Sequence, residues 1–101
     1  MTIWFFKIEG KSNGDNEITH RFGFYVNCFI ATDRSVQKAK ESVLNDLKAD
    51  GYTTVKIEHS GRYKDFYWDQ KAMQKEFDKL AQKAKNNPNI VQYSSFHTWK
   101  E

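Results

Sequence analysis

The chain is short of several things that define common protein classes. It has a single cysteine, Cys28, so no internal disulfide can form, and its place on an apolar strand parity makes it a small buried hydrophobe. One proline and five glycines in 101 residues argue against disorder and collagen-like repeats. No run of about 18 apolar residues exists to cross a membrane, and no basic-then-apolar leader precedes the first strand. A cytoplasmic home and no membrane contact are expected. H-E-x-x-H, C-x-x-C, G-x-S-x-G and a glycine-rich phosphate loop are missing too. No metal site, cofactor or catalytic centre is therefore expected, and the chain reads as a non-enzyme.

What is present is a single domain of ordinary size over residues 1–101. Hydrophobic residues make up 39% and aromatic residues 16%, so the core must draw much of its bulk from Phe, Tyr and Trp. The net charge of +3 lies in the C-terminal part: residues 1–61 balance eight Lys/Arg against eight Asp/Glu, whereas residues 62–101 hold eight against five. A surplus of that size suits an anionic partner without requiring one.

The chain is organised around residues 22–47. Phe22, Phe24, Val26, Cys28 and Ile30 share one parity and predict a strand with a buried face. Thr32-Asp33-Arg34-Ser35 offers capping oxygens, after which Val36, Ala39, Val43, Leu44 and Leu47 recur at helical spacing up to Asp50-Gly51. Before this unit, Ile3 to Glu9 predicts a strand apolar on both sides near its start, and Gly10 to Asn16 a polar turn or contact loop. After it, Tyr52 to His59 predicts a half-buried strand with Val55 and Ile57 inward. The aromatic stretch 60–68 fits a short strand or a packed loop.

Asp69 is the expected N-cap of a second helix, with Trp68 and Met73 at hydrophobic-staple spacing and Met73, Phe77, Leu80, Ala81 and Ala84 as its stripe. Asn86-Asn87-Pro88 stops it. A last strand from Ile90 to Trp99 places Tyr93 and Trp99 on one side, with a bulge around Ser94-Ser95. The order β-β-α-β-α-β predicts an α+β two-layer sandwich, a mainly antiparallel sheet with two helices on one face.

Three constellations are candidate sites. Tyr25, Tyr63, Tyr67, Trp68, Tyr93 and Trp99 could form a partner-binding aromatic surface, or simply close the rim of the core. Lys71, Lys75, Lys79 and Lys83 step by four and form a basic stripe that could meet phosphates, an acidic protein or only water. His59 ends one strand and His97 lies in another, so the two could meet as a hydrolytic pair, while His20 stands apart.

Arg21-Phe22-Gly23-Phe24-Tyr25-Val26 resembles the base-stacking strand of RNA-recognition domains, with a fainter companion at Ile3-Trp4-Phe5-Phe6-Lys7-Ile8. Those domains put a helix and a strand between the two motifs, whereas here only a polar loop separates them. The shared parity with Val26, Cys28 and Ile30 also marks Phe22 and Phe24 as core. The stretches 23–27 and 31–39 together resemble small bacterial proteins that begin with an aromatic strand and continue through Gly-Phe-Tyr into a helix. The size and α+β design resemble immunity proteins that neutralise toxins. Most immunity proteins against nucleases are acidic, and this chain is basic. The resemblance implies a small bacterial inhibitor whose partner is another protein, a toxin or effector. Nucleic acid bound by the lysine stripe, and a small hydrolytic enzyme using His59 and His97, are the alternatives. An unpaired edge strand could support a homodimer.

Overall fold

Two strands are apolar on both parities over only part of their length, and that pattern governs the fold. The computed structural model describes residues 1–12, 22–66 and 68–100. The loop expected over Gly10 to Asn16 is corrected at its start, where Gly10, Lys11 and Ser12 continue the first strand by pairing with its neighbours; its remainder, together with His20 and Tyr67, lies outside the described residues. Among the described residues, β1 (Thr2–Ser12), β2 (Phe22–Thr32), α1 (Val36–Ala49), β3 (Tyr52–Arg62), α2 (Lys71–Asn86), β4 (Gln92–Tyr93) and β5 (His97–Lys100) follow in order. A single 3-10 turn at Tyr63–Asp65 follows β3 on the way to α2. The strands form one antiparallel sheet in the order β3-β1-β2, with β4 and β5 both pairing β2 beyond it. The protein is thus of the α+β class.

The first face of the sheet carries Phe6 and Ile8 of β1 and Phe24, Val26, Cys28 and Ile30 of β2. Helix α1 covers it with Ala39, Val43 and Leu47, and this sheet-plus-helix pair is the two-layer body of the domain. Ser35 caps α1 by accepting from the Lys38 amide at 3.3 Å, and Gly51, at φ 87°, turns the chain out of it. Phe24 is fully buried here and Phe22 packs at the margin, so the rings of the RNA-recognition-like stretch point into the core.

The expectation that both helices share one face is corrected. Phe5 of β1 and Phe29 and Ala31 of β2 have the opposite parity, pair across the strands, and build a second core on the reverse face. Helix α2 packs there through Phe77, Ala81 and Ala84, with Tyr63, Phe66 and Trp68 around it. The physical reason lies in the antiparallel register. It sets the start of β1 beside the end of β2, so the apolar residues on their reverse side fall at one end of the sheet and need their own cover.

Three local expectations are corrected as well. Val55 is 55% exposed because β3 slips register at two points, leaving Val55 and Glu58 as extra residues and reversing parity around each. Gln70, not Asp69, is the N-cap of α2, and its side chain makes no capping bond. The last strand is two short ones, and the break between them changes sides. Tyr93 and Phe96 join the first core, whereas Trp99 pairs with Gly23 on the reverse face, so Tyr93 and Trp99 do not share a side. No described helix is long and apolar enough to cross a membrane.

Candidate binding site on the half-covered sheet face

Helix α2 covers only the end of the reverse face where Phe5 and Phe29 lie. Further along the same parity the residues become polar, and among the described residues no helix covers the sheet. Lys7 of β1 stands between His59 of β3 and Asn27 of β2 in one row of paired residues. The next row runs Lys56, Glu9, Tyr25, His97 across four strands. Trp99 of β5 lies beside Gly23 in the row beyond.

Neighbouring contacts hold these side chains in place. The rings of Tyr25 and Trp99 are 5.0 Å apart at 48°. Lys7 Nζ sits 5.2 Å from the Tyr25 ring centroid and 3.6 Å from the carboxylate of the bulged Glu58. Glu9, the register partner of Tyr25, raises the pKa of the phenol by favouring its protonated form, with desolvation and the charge of Glu58 adding to the effect. Ser94 closes the Asn27 row. Its Oγ accepts from the Asn27 amide at 3.0 Å, and its own amide donates to the Asn27 carbonyl at 2.9 Å.

Where the bare face meets α2 there is a cavity of about 410 Å³. Lys7, Tyr25 and Asn27 line the sheet side, with His59 toward one flank and His97 toward the other. Trp68, Met73 and Phe77 form the apolar wall. With β1 and β2 between their strands and one row of offset along them, the His59 and His97 backbones stand roughly 16 Å apart, at about 4.8 Å per strand and about 3.3 Å per residue. They line one cavity without forming a hydrogen-bonded dyad.

The other predicted residues fall elsewhere. Tyr63 is half-buried in the second core and donates to Asp78 at 2.6 Å, with burial and that carboxylate pushing its pKa well up. Trp68 packs edge-on against Phe77 at 4.7 Å. Tyr93 is half-buried against the first core and donates to Asp46 of α1, and burial followed by that bond raises its pKa strongly. Of the five aromatic candidates among the described residues, Tyr25 and Trp99 are the two whose rings meet on the uncovered face. Lys71, Lys75 and Lys79 line a separate shallow groove of about 580 Å³ beside Trp68, and Lys83 continues the ridge outside it. Asp69 and Asp78 share that groove.

Sequence reasoning missed Lys7, Glu9, Asn27 and Ser94. Their signal was the reverse parity of β1 and β2, apolar at Ile3, Phe5, Phe29 and Ala31 but polar at Lys7, Glu9 and Asn27. No group of three or more His, Cys, Asp or Glu residues is placed to hold a metal among the described residues. No family model matches the chain, and no curated protein or solved structure gives a significant match.

Proposed function

We propose that this chain is a non-catalytic protein-binding module that recognises its partner through the bare half of the sheet. The observation that carries the reading is the mutually braced set of Trp99, Tyr25 and Lys7 on a face that α2 leaves uncovered. Tyr and Trp held rigid before binding lose little conformational freedom on association, and they dominate interface energetics. The resemblance to immunity proteins makes a toxin or effector the kind of partner to test. Partner capture from the native host with the wild-type chain, followed by titration of the captured protein, provides the experiment. Trp99→Ala is expected to weaken binding by about thirtyfold, the range of an interface hot spot. Binding unchanged in both Trp99→Ala and Tyr25→Ala would exclude this face.

A second reading rests on the lysine groove beside Trp68, which suits a phosphate backbone. Four lysines each releasing a counterion would cost roughly fiftyfold on a single strand and roughly 150-fold on a duplex between about 50 and 200 mM salt. Replacing Lys71, Lys75, Lys79 and Lys83 together by glutamine removes that dependence under the second reading and leaves the first untouched.

A further inference from the structure

We draw no further inference here: the strongest candidate, the outer edge of β3 at the margin of the sheet, is interrupted by two bulges and has its charges matched within the chain, Glu58 by Lys7 and Lys56 opposite Glu9, so nothing in the structure shows what covers it.

Discussion

The indole of Trp99 packs directly on the backbone of Gly23, so that a Cβ built on the glycine would come within 2.4 Å of the ring. The two are register partners on β2 and β5, and the missing side chain leaves space on the bare face for Trp99 to reach Tyr25. Gly23 is needed for close approach here, not for an unusual backbone angle. Gly23→Ala should displace the indole and lower stability by about 1–3 kcal/mol, the usual range for an overpacked site. Tryptophan emission and a urea melt read the two effects separately. An alanine variant with unchanged emission and midpoint would show that Trp99 is not held this way.

The second core should matter as much as the first. Phe5 is fully buried, and its ring lies 4.8 Å from Phe66, 5.2 Å from Phe29 and 5.3 Å from Trp68. Phe5→Ala should cost about 3–5 kcal/mol, enough to threaten folding of a domain this small. Val55→Thr, on the bulged and exposed part of β3, should stay within about 0.5 kcal/mol. Denaturant midpoints of the two variants give the comparison.

Two phenols should resist alkali. Tyr63 is held protonated by burial and Asp78, and Tyr93 by burial and Asp46. A pKa raised in the folded state means that the folded chain keeps the proton longer. The stabilisation is complete below the unfolded tyrosine value of about 10 and drains away as pH rises above it. Phenolate absorbance should therefore show these two tyrosines titrating last, with unfolding. A Tyr63→Phe, Tyr93→Phe variant should lose less stability than wild type above that pH.

The Cys28 thiol is fully buried in the first core, and desolvation pushes its pKa well up, with the Asp46 charge adding to it. Thiolate is the reactive form, so a disulfide reagent should label Cys28 only on unfolding. Labelling at the rate of a free thiol under native conditions would contradict this packing.

The sheet's two faces explain what could be read in advance. Phe22 through Ile30 alternate cleanly, and Val36 through Leu47 repeat at helical spacing, so β2, α1 and the first core follow from periodicity alone. Alternation alone turns Val55 inward, and the slips in β3 that turn it outward depend on its partner strand. Alternation puts Tyr93 and Trp99 on one side, but the parity changes between β4 and β5 at Ser94, where a side-chain oxygen stands in for the strand ladder at Asn27.

By itself, then, the sequence determined the α+β class, the inward turn of the phenylalanines and the helical stripes. These are local patterns in which a residue's neighbours along the chain decide which way it points. Only the tertiary structure decided that α2 lies opposite α1, that α2 reaches over only half of the reverse face, and that Lys7, Tyr25, His59, His97 and Trp99 share the other half. That outcome depends on register, the pairing of distant strands that sets one end of β1 against the far end of β2. No stretch of sequence contains it, because both partners must be in place before either has a face to cover.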